Sequence, residues 1–329
     1  MTYRGIFSSL LSHKLYSSDE KKWVVELEKH HCYWYDLVVN PKEVADYFDT
    51  RKLIVDKLMK IKEEVDSHLE KRFIYFICSR EKVRFNVKRK PSYNFFTGQV
   101  KIHILIGAAK KRKKIKCTFV DINTGKVFRP GISLTEKFIT LKDANGYLTT
   151  YPIHDFLDNT DINLGIDSRV EYVGYTKNPH TRPTNGAHTG LSDVLHEVAE
   201  ENRDCLIYFN VFKVTTHSKN AAHGINFYFA NAMSNEVDVD LEGKILEKCF
   251  IFYFDSVNQS RNKEIEWQEL EKNLLKLAQK NKIKAINIHY EFKEVNDYGI
   301  FSSSRVPASE RHFFTVRRGA AGVEILNGQ

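Results

Sequence analysis

A phenol, a guanidinium and an imidazole gather where one strand of this chain hands over to a helix. Glu171-Tyr172-Val173-Gly174-Tyr175-Thr176 reads as a strand ending in a turn; Arg182 follows Thr176 by six residues, and His188 follows Arg182 by six more. Arginine suits bidentate clamping of a phosphate, and tyrosine or histidine can move a proton. A fourth candidate, Glu247, lies in residues 244–254, which are apolar on nearly every helical face. A carboxylate there needs a partner, because burying it unpaired is costly. A divalent cation is one such partner, and a salt bridge to Lys244 or Lys248 is the plainer one. Glu242 also sits on this helix, but about 140° around from Glu247, so the two cannot face one site.

The elements that must position these groups follow from periodicity. Alternation predicts a strand over 170–175 and another over 206–214, with a helix over 192–201 between them. A strongly apolar helix is expected over 241–254, with Asp238 and Asp240 in capping positions, and an amphipathic helix over 265–280. Short strands over 286–292 and 313–316 close the chain. Upstream, Ser17-x-x-Glu20 reads as a capping box ahead of Trp23, Val24 and Leu27, and Pro41 as the start of a helix running to about 69. Between these regions, residues 73–78, 82–88, 99–106, 115–122 and 138–141 read as short strands separated by turns.

Tyr172-Val173-Gly174-Tyr175-Thr176 with Arg182 resembles the second half of the GIY-YIG nuclease signature, Tyr-Ile-Gly-x-Thr and then Arg six residues on. Glu247-x-x-Phe250-Ile251-x-x-Phe254 resembles that family's metal-binding Glu-x-x-Leu-Ile stretch, with Ser256 where Pro is usual and Asn258 one residue early. The likeness covers about residues 145–265. The Gly-Ile-Tyr half is not found ten to fifteen residues before Tyr172; a first strand over 146–151 would offer Tyr147 or Tyr151 instead, followed by a short helix over 153–159. The resemblance implies Mg2+ (or Mn2+) on Glu247, Arg182 on a non-bridging phosphate oxygen, and a tyrosine, Tyr172 above all, activating water with help from His188. His188 also reads as a helix-entry residue, and His217 and His223 as surface groups.

Charge points the same way. The net charge of +8 divides into +15 over residues 71–130, where 17 basic residues meet only Glu81 and Asp121, and −7 over the rest. Such a block suits a polyanion, since each Lys or Arg on a phosphate releases condensed counterions. Lys88, Arg89 and Lys90, and the run Lys110-Lys111-Arg112-Lys113-Lys114 read as a hairpin tip, are the expected DNA contacts. Tyr93, Phe95 and Phe96 beside them suit either base stacking or turn packing.

The expectation is an α+β protein: a helical region over 1–70, a basic β-rich module over 71–143, a small GIY-YIG-like sheet with flanking helices over 144–295, and an extension over 296–329. No apolar run approaches a membrane span, the start Met1-Thr2-Tyr3-Arg4 carries no secretory stretch, and five scattered cysteines read as reduced thiols of a cytoplasmic protein. The expected activity is Mg2+-dependent hydrolysis of double-stranded DNA, with the arrangement of a restriction or defence nuclease and a homodimer for double-strand cutting. The competing expectation is a non-catalytic nucleic-acid-binding protein on a decayed nuclease scaffold.

Overall fold

Residues 21–34 place Trp23 and Val25 inward two positions apart, a strand period, and they form β1 (Lys21–Trp34) in place of the expected helix. Ser17-x-x-Glu20 therefore caps nothing; a one-turn helix ends at Ser17. The computed structural model describes residues 4–39, 50–121, 124–181, 198, 202–220, 223–255, 263–294 and 296–328. Among them, α1 (Thr50–Leu69) supplies most of the helix expected after Pro41. β2 (Phe73–Glu81) follows, buried along all but its last residue.

Next come β3 (Val83–Phe85), β4 (Ser92–Tyr93), β5 (Gln99–Ile106), β6 (Lys111–Val120), β7 (Val127–Phe128), β8 (Gly131–Leu134), β9 (Phe138–Lys142), β10 (Leu148–Pro152) and α2 (Ile153–Asn159). Then β11 (Ser168–Thr176), β12 (Arg203–Asn220), β13 (Ile225–Ala230), α3 (Val239–Phe254), α4 (Lys263–Lys276), β14 (Ile283–Glu291), β15 (Phe301–Ser302), β16 (Arg311–Gly319) and β17 (Gly322–Asn327) complete the chain.

Among the described residues the fold is mixed α and β, with three sheets. The largest has nine strands in the order β15-β11-β2-β12-β1-β14-β16-β17, with β13 paired to β12. Most pairs are antiparallel; β1 with β14 and β11 with β15 are parallel. Strands come from all four expected stretches, so the divisions at 70/71, 143/144 and 295/296 do not separate folding units. Residues 296–329 in particular contribute sheet strands rather than an appendage.

One sheet face packs on α1, joining Leu58, Ile61 and Val65 to Tyr75, Ile77 and Phe209. The other packs on α3, where Phe76 meets Phe250 at 5.2 Å and Phe254 at 5.6 Å between ring centroids. Because α4 covers the far side of α3, with Trp267 edge-on to Phe252 at 4.8 Å, the last six residues of α3, Cys249–Phe254, are apolar and buried all round.

The residues between β2 and β11 are an insertion between two neighbouring strands. They build a five-stranded sheet (β3-β5-β6-β7, with β4 on β5) and a three-stranded sheet (β10-β9-β8). A buried ion network ties this insertion to the main sheet. Asp204 on β12 accepts both guanidinium branches of Arg84 at 2.8 Å, the Val83 amide at 3.0 Å and His154 Nε2 at 2.9 Å. Burial alone would raise the Asp204 carboxyl, but His154 and Arg84 outweigh it and hold it well below the usual carboxylate range.

Candidate active site and nucleic-acid interface

Strand β11 carries the residues singled out by the sequence, and its alternation sends them to different faces. Tyr172 packs with the α1-side core, whereas Val173 and Tyr175 pack with the α3-side core. Across the ladder, Gly174 is paired with Tyr75 of β2. A Cβ at Gly174 would stand 2.4 Å from Cζ and Oη of Tyr75, so only glycine lets the Tyr75 ring lie over the strand. The ring thereby reaches Tyr172, with centroids 6.0 Å apart and planes 22° from parallel. Tyr75 is fully buried and Tyr172 half-buried.

Glu247 arrives from α3. That helix begins at Asp238, whose side chain accepts from the Leu241 amide at 2.9 Å, the capping role expected. Gly243 lets it close on the sheet, since a Cβ there would lie 2.9 Å from Arg72 Cβ and 3.1 Å from Tyr175 Cδ2. One turn later, Glu247 Oε1 accepts the backbone N–H of Tyr175 at 2.9 Å. Among the described residues β11 has only β15 on this edge, paired at Ser168 and Arg169, so the carboxylate binds where a further strand would continue.

Two other charges of α3 are engaged elsewhere. Glu242 is buried against Arg4 and Asn231, and Lys248 reaches Glu266 at 2.7 Å and Glu269 at 3.0 Å on α4. The strand edge thus stands between Glu247 and Tyr172, which the sequence expects in one site.

Beyond β11, Thr176 Oγ1 accepts the Asn178 amide at 3.0 Å, and Lys177 stands 3.6 Å from Glu70. His180 is held below the ordinary histidine pKa by burial and then by Lys62 of α1. Arg182, His188, Ser256 and Asn258 lie outside the described residues, as does most of the helix expected over 192–201; its Val198 is helical and buried in the α1-side core.

The expected source of a second phenol is corrected. Tyr147 is 73% exposed, and Tyr151 pairs with Ile139 in the three-stranded sheet, so neither stands on a strand beside β11. That neighbour is β2, and its phenol is Tyr75. Asp240 is not a cap but an ion-pair partner of Arg72 at 2.7 Å. His217 lies against Tyr228 at 4.5 Å and His223 is exposed.

The basic block also differs from expectation in detail. The tip of the β5–β6 hairpin is Gly107–Lys110, with Lys110 at φ 51°, and Lys111–Lys114 already belong to β6. On the outward face, Lys116 opposes Lys101, Lys114 opposes His103 and Arg112 opposes Leu105. Lys116 and Lys101 are like charges directly opposite one another, an arrangement that destabilises a sheet, and residues 99–118 contain no acid. Lys88, Arg89 and Lys90 are exposed on the turn after β3.

Among the described residues, no group of three or more His, Cys, Asp or Glu is arranged to hold a metal ion. Among them, too, no helix is long and apolar enough to cross a membrane. No protein-family model matches this chain, and no curated protein and no solved structure matches it.

Proposed function

We propose that the chain is a divalent-cation-dependent DNA endonuclease whose β11–β2–β12 unit is a GIY-YIG-like sheet interrupted by a basic DNA-holding insertion. The observation that carries this reading is the Tyr75–Tyr172 stack over Gly174. Phe73-Ile74-Tyr75 departs from Gly-Ile-Tyr only in its first residue, and its strand pairs antiparallel with Tyr172-Val173-Gly174. In this reading the two halves of the signature are neighbours in the sheet although the insertion separates them in sequence.

The roles follow from chemistry. Tyr172, half-exposed, would orient the attacking water and pass its proton towards His188, while Tyr75 fixes the orientation of the Tyr172 ring. Arg182 would hold a non-bridging phosphate oxygen. Glu247 is a single carboxylate at a strand edge, which fits Mg2+, an ion bound through one or two carboxylates together with substrate phosphates and water. Bound there, the ion would neutralise charge gathering on the scissile phosphate.

The competing reading, a nucleic-acid-binding protein on a decayed nuclease scaffold, is favoured by one observation. Glu247 is engaged by the Tyr175 amide, across the strand edge from the tyrosine pair. Plasmid nicking in Mg2+ against EDTA separates the two. Cutting abolished by EDTA and by Glu247→Ala supports the nuclease; tight, salt-sensitive binding without cutting supports the scaffold.

A further inference from the structure

The insertion exposes apolar side chains within its basic block, as well as at Tyr147 and Leu148 beyond it. Val87, Phe95, Phe96, Val120 and Val127 are 47–98% exposed, with Phe95 at 85% and Phe96 at 98%. Both phenylalanines sit on the turn joining β4 to β5. That turn is braced: Asn94 Oδ1 accepts the amides of Phe96 at 3.0 Å and Thr97 at 3.3 Å, and the Asn94 carbonyl accepts Gly98 N–H at 2.9 Å. Gly98 adopts φ +66°, and a Cβ there would strike Val127 Cγ1 at 2.7 Å. The backbone holds two rings in water, edge to face at 6.3 Å, where packing would ordinarily have hidden them.

A groove of about 620 Å³ runs beside the base of the turn, lined in part by Arg89, Lys90, Tyr93 and Arg129. The Arg129 guanidinium lies over the Tyr93 ring at 5.6 Å. The basic row of Lys116, Lys114 and Arg112 runs along β6 away from that turn, beginning where Lys116 opposes Lys101 near the start of β5. Same-face residues on a strand recur about every 6.8 Å, close to two nucleotide rises along one strand of B-DNA. A row extending well past an apolar tip matches a phosphate backbone better than a membrane, for which charge need only ring the tip.

We propose that the β4–β5 turn is a wedge: Phe95 and Phe96 enter the base stack of duplex DNA while Arg112, Lys114 and Lys116 hold its backbone. The wedge rests on the DNA-binding part of the proposed function, not on catalysis. Apolar wedges unstack base steps and kink the duplex, most cheaply at pyrimidine–purine or mismatched steps. The protein should therefore bind a duplex containing a mismatch about 10-fold more tightly than its perfect counterpart, because the unstacking cost of a few kcal/mol is least at a mismatch.

The test uses the full chain in EDTA with a duplex carrying 2-aminopurine at a TA step, read by fluorescence and by anisotropy across a NaCl series. The expected result is a rise in 2-aminopurine emission on binding, lost in Phe95→Ala/Phe96→Ala, with the affinity down about 10-fold and the salt slope unchanged. Both side chains are exposed, so this variant keeps its fold. Binding by wild type with no emission rise, or an equal rise in the double variant, overturns the wedge and leaves the nuclease reading standing. No binding to any duplex at low salt overturns both. Phosphatidylserine vesicles captured by wild type but not by the double variant, without DNA unstacking, would assign the tip to an anionic membrane instead.

Discussion

Tyr75 and Tyr172 stack at 6.0 Å on adjacent strands, and the whole basic insertion lies between them in the chain. Their contact requires Gly174, because any side chain there would occupy the volume of the Tyr75 ring. Overpacking of this kind costs about 1–3 kcal/mol. Gly174→Ala should lower the urea midpoint accordingly. Equal midpoints for Gly174→Ala and wild type would mean that the ring does not lie over the strand.

The Asp204 network makes a separate prediction. Asp204 is 1% exposed, with Arg84 supplying two of its hydrogen bonds and His154 a third. Removing one partner of a buried pair leaves an uncompensated charge, at a cost of about 3–5 kcal/mol. Arg84→Ala should lose about that much by denaturant unfolding and expose the junction between insertion and sheet to proteolysis. A loss below about 1 kcal/mol, the range of surface ion pairs, would contradict the network's role.

Buried histidines set the acid limb of stability. His312 Nδ1 faces Tyr253 Oη and its Nε2 faces the Ser309 carbonyl, each at 3.1 Å, a set that the neutral ring satisfies. Burial pushes its pKa down to about 4, and His30 and His31 are likewise lowered to about 4. The unfolded chain protonates these rings below about pH 6.5, while the folded chain does so only near pH 4, so stability falls as pH drops through that window. Asp155, raised to about 6 by burial, acts in the opposite sense over part of it. Each histidine contributes a slope of up to about 1.4 kcal/mol per pH unit. His312→Gln should remove about one proton's worth of slope between pH 4.5 and 6; an unchanged slope would mean that His312 does not shape the acid limb.

The outward row of β6 predicts salt dependence. Arg112→Glu/Lys114→Glu/Lys116→Glu should weaken duplex binding and reduce the slope of log K against log salt by about 0.9 for each phosphate no longer neutralised. Lys113, whose Nζ donates to the Leu164 carbonyl at 3.0 Å, should contribute less. An unchanged slope in the triple variant would move the DNA to another face.

Local features of the fold are legible along the chain, and pairings across it are not. Periodicity and capping identify residues 99–106, 153–159 and 170–175 as elements, and Asp238 as a cap, because those signals are local. Residues 21–34 mislead because Ser17 and Glu20 imitate a helix start, while the partners that make the segment a strand lie on β12 and β14. Tyr75 escapes for a related reason. Residues 73–78 read as a strand, but which strand lies beside β11 is a long-range choice that side-chain spacing does not encode. Exposure of Phe95 and Phe96 likewise depends on how Asn94 folds the turn, and their residue types suit packing as well as stacking.

The most direct test of the proposed nuclease site is nicking of supercoiled plasmid in Mg2+ by wild type, Tyr172→Phe, Arg182→Ala and Glu247→Ala, each first shown by circular dichroism to be folded. Wild type should cut, and EDTA should abolish the cutting. Each variant should be slower by at least about 100-fold, the lower range for removing a catalytic proton-transfer or charge-stabilising group. Metal-dependent cutting that survives Tyr172→Phe, Arg182→Ala and Glu247→Ala alike would contradict the assignment of this site.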